Sequence, residues 1–162
     1  MNNTAIEEII NECISEFAEI ENIINRNGAL ASANKYLTLY SLIKACGVIE
    51  YSYKNIIADF NNSASTQVQR YIDITIRGSS LNPSLDNIRK LLKNFDESWR
   101  DSFNSTLDLH PSKEQLKQSL SSLNNNRNNF AHGQICDASF ADIKSYFLDS
   151  VEIIKMVDSV VL

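Results

Sequence analysis

The sequence predicts an all-α bundle, and three observations carry that prediction. Glycine and proline are scarce, 4 and 2 among 162 residues, so few tight turns are available. Long stretches repeat their apolar residues at intervals of three and four. Turn and capping residues fall between those stretches, where they close one helix and open the next. At this length a single domain is enough to bury a core, and residues 1–162 are read as one domain.

The first helix opens at Thr4, with Glu7 three residues on as a capping-box partner. Ile6, Ile9, Ile10, Ile14, Phe17, Ile20 and Ile24 form its core stripe, and Asn27-Gly28 ends it. A longer helix spans about Ser32 to Phe60 through Leu37, Tyr40, Ile43, Cys46, Ile49, Tyr53, Ile56 and Ile57. Gly47 lowers its helix propensity and suggests close packing against a neighbour at that point. The stretch STQVQRYIDITI (65–76) is taken as a short helix, although Ile72, Ile74 and Ile76 alternate as in a strand.

A loop from Gly78 to Pro83 leads to Ser84, the cap of a helix bearing Leu85, Ile88, Leu91, Leu92 and Phe95. Residues 96–111 read as a short amphipathic turn or helix, then a loop closed by Pro111. Ser112 with Gln115 forms a second capping box, opening a helix with Leu116, Leu120 and Leu123 on its core side. The last helix begins near Ser139 and carries Phe140, Ile143, Phe147, Val151, Ile154, Val157 and Val161. The outcome is four to five main helices with a short helical insertion in the middle.

Composition narrows the function classes. A net charge of -5 argues against a general binder of phosphate backbones, which is usually basic. Cys13, Cys46 and Cys136 are odd in number and far apart, so neither a disulfide framework nor a Cys-x-x-Cys site is indicated. They read as small hydrophobes in a reducing cytoplasm. MNNTAIEEII lacks the features of a signal peptide, and no run approaches the roughly 18 apolar residues of a membrane span. The acidic stretch NFDESW has no metal-ligand spacing, and no cofactor is expected. His110, ahead of Pro111, reads as a loop residue. Tyr36, Tyr40, Tyr51 and Tyr53, at helical spacing, read as core or dimer contacts, with base stacking as the lesser alternative.

One stretch departs from plain helix: NNNRNNFAHG, residues 124–133. Asn128 and His132 are four apart and share a face. Arg127 and His132 are five apart, about 140° around the axis. Three arrangements would let them act together. Arg127 could reach round the helix, the helix could unwind at Gly133, or the pair could work against a second copy of itself. At a helix C-terminus the cationic form of His132 is favoured by the macrodipole. An imidazole beside a permanent guanidinium suits a phosphodiester, one moving the proton and the other holding the non-bridging oxygens. The alternative is a solvated Arg127 and a helix-capping His132.

RNNFAHG resembles the R-x4-6-H signature of the HEPN superfamily of helical ribonuclease domains. Asn128 supplies the polar residue after the arginine, Ala131 and Gly133 flank the histidine in the family's style, and one helix follows. LIKACGVIEYSYKNII (42–57) resembles the family's second long helix, with Glu50 near the groove. The similarity is to stand-alone members of the RiboL-PSP and MAE type. It implies a HEPN-like bundle that homodimerises around two R-x4-H motifs. The implied activity is a metal-independent endoribonuclease leaving a 2′,3′-cyclic phosphate and a 5′-hydroxyl, in toxin–antitoxin or anti-phage defence. His132 would be the general base or acid, Arg127 the phosphate clamp, Asn128 a positioner, and Glu50 would orient Arg127 or His132. A non-catalytic HEPN-like module that binds RNA or protein is the alternative. Gln134 stands where relatives regulated by adenylylation carry tyrosine, which argues against that regulation. RNA would need a local patch, with Lys44, Arg89, Lys90, Lys93 and Arg100 as candidates beside Arg127.

Overall fold

Seven α-helices and one π-helical segment make up the described residues, 1–28 and 31–161, of this computed structural model. In chain order they are α1 (Thr4–Asn27), α2 (Ser32–Asp59), α3 (Thr66–Ile72), the π segment (Asp73–Arg77), α4 (Leu85–Phe95), α5 (Glu97–Leu109), α6 (Lys113–Ala131) and α7 (Phe140–Val160). The fold is the all-α bundle that the sequence predicts. Long helices frame it, and α3 with the π segment forms the helical insertion.

Capping explains most of the helix boundaries. Ser84 accepts the Asn87 amide at 3.2 Å, and Ser139 and Asp142 close a full capping box at the start of α7. Two caps differ from expectation. Asn3, not Thr4, caps α1, its Oδ1 taking the Ile6 amide at 3.1 Å. The Asn3 side-chain carbonyl, three residues before that donor, takes the capping role, which leaves Thr4 in the first turn. Ser112 precedes α6 without a side-chain capping bond. Its own amide donates to His110 Nδ1 at 3.2 Å instead, which gives His110 a structural role in the turn.

The span 96–111 is more regular than a turn and loop. Trp99, Phe103 and Leu107 recur every four residues and are all buried, so α5 runs on to Leu109. Asp96 caps it by accepting the Ser98 amide at 2.7 Å.

α2 and α7 pack along each other at the centre, with α1 against α2, α6 against α7, and the α4–α5 pair closing on both. The second half of α2 is surrounded, and every residue from Ser52 to Ala58 is buried. Its polar members are satisfied: Ser52 Oγ donates to the Val48 carbonyl at 2.7 Å and Asn55 Nδ2 to that of Tyr51 at 2.8 Å. The first half is different. Leu42, Ala45, Cys46 and Ile49 take the core side, leaving Tyr40 and Ile43 exposed. Ile43, part of the helix's apolar pattern, and Tyr40, read as a core or dimer contact, lie off the buried face, with the Tyr40 hydroxyl donating to Glu16 on α1. Gly47 lies on the same open side, and a Cβ there would meet nothing within 4 Å. The close approach expected at Gly47 is therefore absent within the chain.

Candidate active site at the end of α6

α6 ends in a Schellman motif. The Gln134 amide donates to the Asn129 carbonyl at 2.8 Å and the Gly133 amide to that of Phe130 at 3.0 Å. This turn needs a residue with positive φ at its hinge, and Gly133 supplies it at 72°. His132 is the C-cap residue that follows the last helical residue, Ala131, its amide still bonded to the Asn128 carbonyl at 3.0 Å. Its side chain is exposed and makes no hydrogen bond to the described residues. The helix stop thus presents an imidazole to solvent, with Asn128 one turn back on the same face.

Arg127 is half-buried and held by amides rather than acids. Its Nη1 donates to Asn82 Oδ1 at 2.8 Å and to Asn128 Oδ1 at 3.2 Å. Asn82 Nδ2 reaches the same Asn128 oxygen at 3.4 Å. No described carboxylate pairs with Arg127. The other candidate cations are largely engaged: Lys44 with Glu16 at 2.9 Å, Arg100 with Asp101 at 2.7 Å, Lys93 with Glu97 at 3.6 Å and Arg89 with Asp86 at 3.9 Å. Lys90 has no such partner among the described residues. A full cation beside neutral amides keeps its capacity for an anion, because nothing nearby cancels its charge.

Asn82 comes from the loop ahead of α4, and that loop is clasped from two sides. Glu50 Oε1 accepts the Leu81 amide at 3.1 Å and Lys54 Nζ at 3.3 Å. Lys54, itself buried, also donates to the Ser79 carbonyl. Tyr53 Oη donates to the Leu81 carbonyl at 3.1 Å, and burial pushes its phenol well above the usual range. From the other side, Asn124 Nδ2 donates to the Pro83 carbonyl. Glu50 thus bonds to neither Arg127 nor His132; its link to Arg127 runs through the loop that presents Asn82. Beneath the site Cys46 Sγ donates to the Leu123 carbonyl at 3.6 Å. Burial pushes that thiol up to about 12, against the pull of the nearby Arg127 charge. Cys46 is therefore a packing residue and not a nucleophile at neutral pH.

The motif brings Arg127, Asn128 and His132 to one helix end, but no hydrogen bond joins Arg127 to His132. Asn82, Lys54, Tyr53 and Asn124 escaped the sequence reading. Asn82-Pro83 is a turn signal, yet nothing local ties that turn to residue 127. Beyond Gly133, Tyr36, Leu39, Phe130 and Ile135 line an open apolar groove of about 740 Å³. Tyr36, Tyr40 and Tyr51 are exposed, while Tyr53 is in the core. Among the described residues no three of His, Cys, Asp and Glu gather as a metal site, and no helix is long and apolar enough to cross a membrane.

A bundle of long helices with an arginine and a histidine at the end of the penultimate one is the arrangement that the HEPN resemblance implies. The family model for RiboL-PSP-HEPN matches residues 8–162, and the chain belongs to that family. Neither the curated proteins nor the solved structures returned a match. HEPN domains are often ribonucleases, and the family match points to a ribonuclease-like module.

Proposed function

We propose that the protein is a metal-independent endoribonuclease acting as a homodimer, with two Arg127/His132 sets in one groove. One observation carries this: a guanidinium fixed by Asn82 and Asn128, with no carboxylate partner among the described residues, stands at the same helix end as an exposed imidazole that bonds to none of them. The five-residue offset points the two groups apart on one chain, and a two-fold axis lets each chain complete the other's set.

In the proposed reaction His132 takes the proton of a ribose 2′-hydroxyl, whose oxygen attacks the phosphorus. The bond from phosphorus to the 5′-oxygen breaks, and that oxygen leaves with a proton from the partner's His132. Arg127 holds the non-bridging oxygens as charge builds on them. The products are a 2′,3′-cyclic phosphate and a 5′-hydroxyl, and the two imidazoles reset by exchanging protons with water. A role in toxin–antitoxin or anti-phage defence, with an antitoxin or other defence protein as partner, fits such an activity.

The test is end-labelled RNA incubated with purified protein in a chelator. Cleavage to cyclic-phosphate ends is expected, and His132→Ala is expected to lower its rate by about 10²–10⁴-fold. Cutting that survives both His132→Ala and Arg127→Ala would refute the assignment. The apolar groove around Tyr36 and Ile135 favours a second function, a non-catalytic module that binds protein. It would be supported by wild-type protein that leaves RNA intact.

A further inference from the structure

Between α4 and α6, beside the amides that hold Arg127, lies a cavity of about 410 Å³ whose lining includes five asparagines. We propose that it is a nucleobase subsite for the RNA strand being cut, selective for bases that carry an exocyclic amine over uracil. The proposal rests on the ribonuclease function above and names how that site would choose its sequence.

The position comes first. Lys117, Ser121, Asn124 and Asn128 line the cavity and lie at intervals of four, three and four along α6, so they share one face. His132 is the next residue on that face. Asn128 stands about 6 Å from it along the axis, at 1.5 Å per residue. Asn82 and Asn128 belong both to the cavity wall and to the pair of amides that hold Arg127. A strand with its phosphate at Arg127 would therefore have a neighbouring base at the mouth of this cavity.

The hydrogen-bonding inventory then selects the base. Each asparagine offers a carbonyl acceptor and an NH2 donor, and several of these ends are unused. Asn87 Nδ2 is committed to the Asn82 carbonyl at 2.8 Å, which leaves its Oδ1 free. Asn125, exposed on the rim, has both ends available. Asn124 is 7% exposed; its Nδ2 is committed to Pro83, and its Oδ1 is buried without a partner among the described residues. A buried acceptor left unpaired is costly, and a small turn of the Asn124 side chain towards the cavity would let a ligand amine relieve it. Asn125 Nδ2 and Asn128 Nδ2 remain as donors, but with the Asp86 carboxylate counted the unused acceptors outnumber them among the described residues, and acceptors match the amines of adenine, cytosine and guanine. Asparagine pairing both its ends with adenine is a known geometry of base reading.

The walls also suit a planar ring. Leu85 and Leu120 supply apolar surface. No aromatic side chain lines the cavity, but Arg89 does, with its Nε fixed to Asn104 Oδ1 at 2.8 Å. A guanidinium held in one plane can stack on a base in place of an aromatic ring.

The experiment digests an RNA pool with randomised sequence and reads the bases on both sides of every cut. One flanking position is expected to be depleted of uracil about tenfold relative to the amino-bearing bases. Asn125→Ala, an exposed and structurally idle change, should bring that ratio towards one, and Asn87→Ala should do the same. Cleavage with no base preference at either position, or a preference that both variants leave untouched, would overturn the proposal while leaving the ribonuclease function standing. If wild-type protein does not cut at all, that function fails instead. The subsite is then read separately by titrating AMP, CMP and UMP into the protein and following side-chain amide resonances. Binding of AMP or CMP over UMP, lost in Asn125→Ala, supports it; equal or absent binding rejects it.

Discussion

Two residues 45 positions apart set the character of the site. Asn82 Oδ1 is the nearer of the two oxygens on Arg127, and a hydrogen bond to a charged donor contributes about 1.5–3 kcal/mol. With Asn82→Ala the guanidinium keeps its charge but loses its aim. We expect kcat/KM for RNA to fall about tenfold, equivalent to about 1.4 kcal/mol in the transition state. The melting temperature should hardly move, since Asn82 is in a half-exposed loop. Equal cleavage by the variant would show that Asn128 alone positions Arg127. Asn128, adjacent in sequence, was legible from the motif. Asn82 was not, because a loop's partner is chosen by packing and leaves no period in the sequence.

Elements contribute through their ends and through one buried pair. Ser139 and Asp142 cap α7 reciprocally, and those bonds hold the Asp142 carboxyl below its ordinary value of 3.8. A carboxyl lowered in the folded state stabilises it above the unfolded value and loses that contribution as pH falls through the folded one. Ser139→Ala should thus cost about 1 kcal/mol at neutral pH, measured by urea melts. The gap from wild type should narrow below pH 3.8. On α2, Lys54 is a buried cation shared between Glu50 and the Ser79 carbonyl. Lys54→Met leaves the half-buried Glu50 without its ion partner, and we expect a loss of about 2 kcal/mol in denaturant melts. RNA cleavage should fall as well, because the same change loosens the loop that carries Asn82. Stability lost with cleavage intact would separate the clasp from the site. Glu50 illustrates the limit of a helix read alone. Its place on α2 was visible in the sequence, whereas its bond to the Leu81 amide depends on a loop 31 residues away.

At the scale of the whole molecule the proposed site is incomplete in one chain. A mixed dimer of one His132→Ala and one Arg127→Ala protomer retains one imidazole and one guanidinium. Co-expressed variants regain one Arg127–His132 pair across the two-fold axis but lack the second imidazole, so they should cut RNA faster than either variant alone yet well below wild type, with light scattering reporting a dimer. A monomer at micromolar concentration, or no complementation, would count against the composite site. The exposed face of α2 with Tyr40, Ile43, Gly47 and Tyr51 stays open in the single chain.

What the sequence determined by itself is local. Apolar spacing set the helices, Gly133 stopped α6 where a positive φ is required, and the order of helices put Arg127, Asn128 and His132 at one end. Each depends on residues within about one turn of each other, so a linear reading contains the information. Tertiary structure decided the rest: which side of α2 is core, that Asn82 meets Arg127, and that Glu50 acts through a clasped loop. Those contacts join segments tens of residues apart, and their partners are selected by shape and buried hydrogen bonding once the helices pack.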